Sequence, residues 1–521
     1  MIKKLYILFK IGRKLAKSDA LKIFTKFNEP PLIIKIIFKI FSFSLSKKRQ
    51  NFKNTSEEKK LSDSLQSMGT TFIKLGQFLA TRPDIIGEDL SKQLEDLQDR
   101  LPSFPLNDAK EIIKKDLGEE NFNSIINLSE PIAAASIAQV HKGKVKLNNE
   151  EYDVAIKILR PNIEKEIKRD LKNFFVAAKL IERFSKEAKR LRLIEIVKTL
   201  AESLSMEIDL RLEAAAQSEI RENVINDDYF NVPDVYWDLT RKNILISDWV
   251  DAIPAKDLNK ITEEGFNKKR IGKNILKTFL TTSIRDGLFH ADMHQGNLFI
   301  EKEEKIIAVD FGIVGHLDFE SKQYLNNILL GFINRDYDKI ANVHFEAGYV
   351  PETEDKKKFA QALRSIGEPI QGKEASDISI GNLLTQLFEI TNQFNMKTQP
   401  QLLLLQKTMV VVEGVAREYD PNLNIWTESE PILNELNKID FVNKFNFSTD
   451  EVINRAKDII INLPNNIEGV KKNINQMGKI IDYQGIKIHP ESLNSINHNN
   501  SNSLFYIIIL LLIIILMISI F

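Results

Sequence analysis

The sequence predicts an α+β chain of two lobes, strand-rich then helical, with a helical extension before them and a transmembrane helix after. Three observations carry this reading. Strand-like alternation is concentrated in residues 126 to 255, in runs such as Val154 to Leu159 and Asn243 to Val250, around one long helical segment from Pro161 to Asn223. From Leu258 to Asp420 the apolar residues fall at the three-to-four spacing of helices. Finally, the run His290-Ala-Asp-Met-His-Gln-Gly-Asn-Leu298 is followed, thirteen residues after Asn297, by Asp310-Phe-Gly312.

An aspartate, an asparagine five residues later and then an Asp-Phe-Gly turn is the spacing with which protein-kinase-like folds set a catalytic acid and two Mg²⁺ ligands around ATP phosphates. The fold expected is therefore bilobal and protein-kinase-like. At 521 residues and 43% apolar content the chain can bury one large core or two. Having no cysteine, it excludes disulfides, thiolate metal sites and a thiol nucleophile. Metal chemistry is left to oxygen ligands or to the seven histidines.

Taken in order, residues 1–55 form a basic amphipathic arm. Its first 53 residues carry 14 Lys and Arg against Asp19 and Glu29, a balance of +12, so with a net charge of zero the remainder carries −12. Lys-rich stretches with Phe and Leu suit an anionic membrane surface, and membrane lipids are an expected partner. No apolar run followed by a small-residue cleavage site appears, which argues against a secretory signal. Residues 56–125 read as a charged helical extension, 126–255 as the small lobe, 256–450 as the large lobe and 451–503 as a tail and linker. Residues 504–521 are 18 uncharged, almost wholly apolar positions, about 27 Å as a helix. They predict a single C-terminal span, and with it a bacterial-type inner-membrane location with the ATP site on the cytoplasmic side.

The candidate chemistry begins at Val154-Ala-Ile-Lys157, which ends an apolar strand with a lysine able to grip α and β phosphates. A strand lysine is usually just a solvated face, so the reading needs a carboxylate downstream to hold the amine in register. Glu213 is the best-placed partner, with Glu207 close behind. Upstream, Pro131-Ile-Ala-Ala-Ala-Ser-Ile-Ala-Gln-Val-His141 stands where a kinase has a glycine-rich loop. Its residues Ala133, Ala134, Ala135, Ser136, Ile137, Ala138, Gln139 and Val140 are the expected ATP contacts. Alanine restricts the positive φ angles that glycine permits, so this loop should be stiffer. In the large lobe, Asp292 is the expected base or water-orienting group, and Asn297 and Asp310 the expected Mg²⁺ ligands. His290 and His294 flank Asp292 and are read as structural.

These motifs together resemble the UbiB family of atypical, protein-kinase-like proteins, the ADCK group, associated with ubiquinone biosynthesis. Phe72-Ile-Lys-Leu-Gly-Gln77, continuing into Thr81-Arg-Pro-Asp84 and Leu97-Gln-Asp99, is similar to that family's Lys-x-Gly-Gln extension. Pro131 to His141 resembles its alanine-rich loop, Lys157-Ile-Leu-Arg-Pro161 its nucleotide-lysine region, and Glu207-Ile-Asp209 its Glu-x-Asp element. Glu413-Gly414, Arg417, Asp420 and Pro421 resemble the close of its large lobe. The resemblance implies that Lys74, Gly76, Gln77, Glu207 and Asp209 line a lid over the place where a kinase admits a protein substrate. It implies Mg-ATP binding and hydrolysis, and ubiquinone-biosynthesis enzymes or polyprenyl precursors as partners. Nucleic acid is not among the expected partners, and homo-oligomerisation is left open. Met293 and Gln295 stand where the family usually has prolines, Asp248 where a hinge glutamate is common and Ala252 where glycine is. A phosphotransferase with a protein or small-molecule acceptor, and a nucleotide-gated scaffold without turnover, are the alternatives.

Overall fold

The computed structural model describes residues 65–80, 94, 97, 101–184, 189, 192–370, 390, 393–396 and 400–445. The predicted basic arm at 1–55, the Thr81-Arg-Pro-Asp84 run, the linker at 451–503 and the apolar segment at 504–521 lie outside the described residues. The described residues up to Lys438 form one compact unit, to which the elements below belong as far as the last helix.

The strand-rich part is an antiparallel sheet of order β1-β3-β4-β6 with β2 paired to β3. Its strands are β1 (Ile125–Ile126), β2 (Pro131–Ala134), β3 (Ala138–Leu147), β4 (Glu150–Leu159) and β6 (Ile244–Asp248), with β5 (Phe230–Asn231) assigned to another sheet. Asn148 and Asn149 take φ of 51° and 69°, the left-handed pair that a two-residue hairpin loop needs, and this sets the β3–β4 register. Because side chains alternate along a strand, Val154, Ile156 and Ile158 go to one face of β4. There they pack with Ala109, Ile113 and Leu117 of α2 (Leu106–Ser124). Lys157 therefore emerges on the other face, toward the helices that follow. An earlier helix, α1 (Thr70–Ala80), carries the Lys-x-Gly-Gln run.

Among the described residues, the long helical segment expected over Pro161 to Asn223 is divided into α3 (Ile163–Phe184), α4 (Leu193–Glu207) and α5 (Leu210–Val224). Left-handed Arg192, at φ 52°, precedes α4. Asp209 caps α5 by accepting from Arg211 N, while Leu210 N is diverted to Lys242 O. A short carboxylate that bonds its own backbone favours a cap over a helix interior, and an unbroken apolar period cannot reveal that.

The large lobe continues through β7 (Ile253–Pro254), α6 (Leu258–Glu263) and α7 (Lys268–Leu280) into a π-helical turn at Thr281–Asp286. Short strands follow: β8 (Leu288–His290), β9 (Leu298–Ile300), β10 (Ile306–Ala308) and β11 (Val314–His316). They pair as β5-β10-β9-β7 and β11-β8. Among the described residues the large lobe goes on through α8 (Phe319–Ile333), α9 (Tyr337–Glu346), α10 (Lys356–Gly367), α11 (Pro400–Tyr419) and α12 (Ile425–Phe445). One core joins Ile220 and Val224 of α5 to Phe279, Phe289, Phe311 and Val412. A second joins Leu210 and Ala214 of α5 to Phe72, Ile73, Ile167 and Leu200. Helix α5 thus lies in both.

Among the described residues no helix is long and apolar enough to cross a membrane. No span is therefore found to support the expected inner-membrane placement, and the segment expected to supply the single C-terminal span, 504–521, lies outside the described residues.

Candidate active site

Three side chains from three elements meet at Lys157. Its Nζ donates to Glu213 Oε1 at 2.7 Å and to Asp310 Oδ1 at 2.8 Å. The Glu213 carboxyl is nearly sealed at 7% exposure, whereas that of Asp310 is 48% exposed. One ammonium thus faces two carboxylates, one inside the protein and one at its mouth.

Burial opposes the charge on Lys157, but the Asp310 and Glu213 carboxylates outweigh it and hold the amine above its ordinary value. Burial also pushes Asp310 up, and Lys157 overrules it, keeping that carboxyl well below the usual range. Glu213 goes the other way: burial and the charge of Asp310 exceed the pull of Lys157, and it is pushed up to about 7. Asp310 is the carboxylate that stays charged.

Asp310 takes a φ of 66°, in the left-handed region. A non-glycine residue there is strained by roughly 1–3 kcal/mol and persists only where its surroundings over-determine it. Those surroundings are visible. Phe311 is 1% exposed in the large-lobe core, and its ring lies 4.9 Å from that of His290. His290 Nε2 pairs with Val309 O at 3.1 Å, and its Nδ1 accepts from Asp292 N at 3.0 Å. Only the neutral ring protonated at Nε2 serves both bonds, and burial lowers the pKa of His290 accordingly. The structural reading of this histidine therefore has a concrete content: it ties the Asp292 backbone to the residue before Asp310.

Asn297, 8% exposed, donates from Nδ2 to Asp292 O at 3.1 Å, and its own carbonyl receives Val309 N at 2.9 Å. The Asp292–Asn297 loop and the Val309–Asp310 edge are thereby one hydrogen-bonded unit. Asp292 stays open at 43% exposure, with His294 Nε2 at 3.6 Å. Met293, in a position where proline was the expectation, is fully buried in the core. Gln295 pairs with Glu418.

The alanine-rich segment is the β2–β3 hairpin. Ala133 is exposed and Ala134, Ala135 and Val140 half-buried, whereas Ser136, Ile137, Ala138 and Gln139 are buried. Its carbonyls are taken up by the protein: Ala135 O by the Arg160 side chain, Ser136 O by Thr70 Oγ1, Ile137 O by Arg160 N and Ala138 O by Ala135 N. Gln139 turns inward and pairs with both Phe104 N, at 2.9 Å, and Phe104 O, at 3.2 Å. Behind the hairpin, Lys74 of α1 meets Glu207 of α4 at 2.8 Å. Gly76 lies against Leu97 and Leu65, where an added Cβ would come within 2.5 Å and 2.9 Å. Gln77 is half-buried on the same helix, and Asp209 is held by Arg211 at 2.7 Å.

Sequence similarity to known proteins agrees with this geometry. A protein of Marinobacter nauticus named probable protein kinase UbiB is 37% identical over 417 residues, 79% of this chain and 75% of that one. The chain belongs to the UbiB family. Its Azotobacter vinelandii relative of the same name is 39% identical over 374 residues, covering 71% of this chain and 69% of the other. The ABC1 atypical kinase-like domain matches residues 96–344, and the UbiB helical domain residues 363–424. In fold the chain is similar to the solved Rv3197–erythromycin complex from Mycobacterium tuberculosis, with TM-score 0.50 and 23% identity over 72% of this chain and 95% of that one. This UbiB-family chain therefore carries a kinase-like catalytic domain on a kinase-like α+β fold.

Of the site residues read from the sequence, the structure brings Lys157, Glu213 and Asp310 into contact, and the Asn297 side chain reaches the Asp292 carbonyl. Glu207, the second candidate partner for Lys157, is engaged by Lys74 instead. Motif reading gave no role to Arg160, Thr70 or Arg285. Arg160 stands inside a quoted motif, so its position was visible. Its bonds to Leu101, Pro102 and Ala135 were not, because backbone carbonyls carry no sequence signal.

Proposed function

We propose that this chain binds Mg-ATP and turns it over as a kinase-like ATPase or phosphotransferase. In that role it supports ubiquinone biosynthesis by acting on polyprenyl precursors or on the enzymes that modify them. The observation carrying this reading is the Lys157 ammonium shared between buried Glu213 and half-exposed Asp310. An amine held in this way by a carboxylate that ligands cannot reach is pre-oriented toward the site mouth, where phosphate oxygens would meet it.

The donors suit Mg²⁺, which prefers hard oxygens in a site that leaves room for water and phosphate. With Nδ2 committed to Asp292 O, the carbonyl Oδ1 of Asn297 is the atom left for a cation. Asp310, with Oδ1 on Lys157, keeps Oδ2. Asn297 and Asp310 would hold the metal, which supplies neutralisation of phosphate charge. Asp292, open and fixed at its backbone by His290, would orient a water or an acceptor hydroxyl. Ala133, Ala134 and Ala135 would form the wall over the phosphates. The stiffness inferred from alanine is supported by the hydrogen bonds of the hairpin carbonyls. Lys74, Gly76, Gln77, Glu207 and Asp209 would belong to a lid over the acceptor side.

The test is Mg-ATP binding by the full-length protein and by Lys157→Met. At least about a tenfold loss of affinity is expected when an amine that pairs with phosphate is removed. Equal affinity in the two proteins would overturn the reading.

A further inference from the structure

Arg285 lies outside every motif above, yet its guanidinium joins two parts of the site. It stands in the π-helical turn Thr281–Asp286, which runs directly into the strand ending at His290. Nη1 and Nη2 reach Asp227 at 2.9 and 3.0 Å, and Nη2 also reaches the carbonyl of Asn223, in the last turn of α5, at 3.1 Å. On its other side, Nε and Nη2 hold Asp286 at 2.6 and 2.9 Å. The turn itself is fixed, since Lys322 donates to Arg285 O and Leu317 N to Gly287 O. π-turns are costly and gather at functional positions, and this one lies between the glutamate helix and the Asp292 loop.

We infer that Arg285 is a positioning residue that locks the Glu213 helix to the catalytic loop, so that the Lys157–Glu213 pair is made without a separate activating step. The lock has a reason to be needed. Helix α5 is shared between two cores, with Leu210 and Ala214 in one and Ile220 and Val224 in the other. A relative shift of the two would move Glu213 against Lys157. Along the same helix, Gln217 donates to Pro233 O at 2.9 Å and Arg221 to Val232 O at 3.0 Å. Among the hydrogen bonds described for α5, that from Arg285 to Asn223 O reaches the segment that leads into His290 and Asp292, beside the apolar packing of Ile220 and Val224 on Ile284 and Leu288. A lysine keeps the charge but cannot make the two forked pairs and the carbonyl bond at once.

This inference rests on the proposed turnover, and its test separates the two. Arg285→Lys is made in the wild-type full chain and in Glu213→Gln, and both kcat/KM for Mg-ATP and hydrogen exchange of the α5 amides are measured. The expected results are about a tenfold loss of kcat/KM in the wild-type background, less than about twofold in Glu213→Gln, and faster α5 exchange. Equal losses in both backgrounds would mean a merely structural role and overturn the inference while leaving the turnover intact. Were the wild type to show no turnover, the exchange arm still decides, because unchanged α5 protection in Arg285→Lys excludes the lock.

Discussion

Lys157 and Asp310 are in direct contact, Nζ to Oδ1 at 2.8 Å, with Glu213 behind the amine at 2.7 Å. An amine between two carboxylates leaves the site one negative charge in excess when both are ionised, and that excess is what a divalent cation with nucleotide would neutralise. The buried carboxylate orients, and the exposed one is free to change partners.

Glu213→Gln keeps the shape of that arrangement and removes the orienting carboxylate. Lys157 is then drawn to Asp310 alone, away from the phosphates. A misplacement of about 1 Å in a positioned group costs on the order of 100-fold. We expect a loss of that order in kcat/KM for Mg-ATP, read by steady-state kinetics.

Thr70→Val removes the bond from α1 to Ser136 O, 2.8 Å in the folded protein. An unmade buried hydrogen bond costs about 1–3 kcal/mol. Unfolding by denaturant should show a loss within that range. If the bond also restrains the hairpin, KM for ATP should change while Glu213-dependent catalysis does not.

Gly287 has φ 74°, and a Cβ there would come within 2.6 Å of Leu317 O. A backbone oxygen in a paired strand end cannot step aside as a side chain can. Gly287→Ala should therefore destabilise by about 2 kcal/mol or more, combining strain and overpacking. A thermal melt reads this as a clear drop in Tm.

His344 is buried against Phe359 and Tyr349, with Nδ1 pairing to Ile340 O at 2.8 Å. Burial pushes it down to about 4 from 6.5. The unfolded chain thus binds a proton between these values that the folded one refuses. Its contribution to stability is full above about pH 6.5 and is lost as pH falls toward about 4, amounting to about 3 kcal/mol. Melts across this range should show a steeper fall for wild type than for His344→Gln.

What could be read from the sequence followed its repetition and spacing. The strand period over Val154 to Leu159 puts Lys157 opposite the apolar face, and the Asp292, Asn297 and Asp310 spacing marks a loop and a turn that converge. The break of the predicted long helix at Arg192 and Asp209 was not legible, because local capping overrides an apolar period that continues across it. Nor was the engagement of Glu207 by Lys74, since the two lie far apart in the chain and only packing brings them together. Arg285 escaped for a related reason: its partners are Asp227, Asp286 and a backbone carbonyl, none of which forms a motif.

The central claim is tested most directly by Mg²⁺-dependent ATP hydrolysis of the full-length protein beside Asp310→Asn. Turnover that requires Mg²⁺ in the wild type and is lost in Asp310→Asn, with both proteins folded by circular dichroism, is the result expected of a site in which Asp310 holds the metal. Equal turnover in the two proteins, or none in the wild type at saturating Mg-ATP, would contradict it.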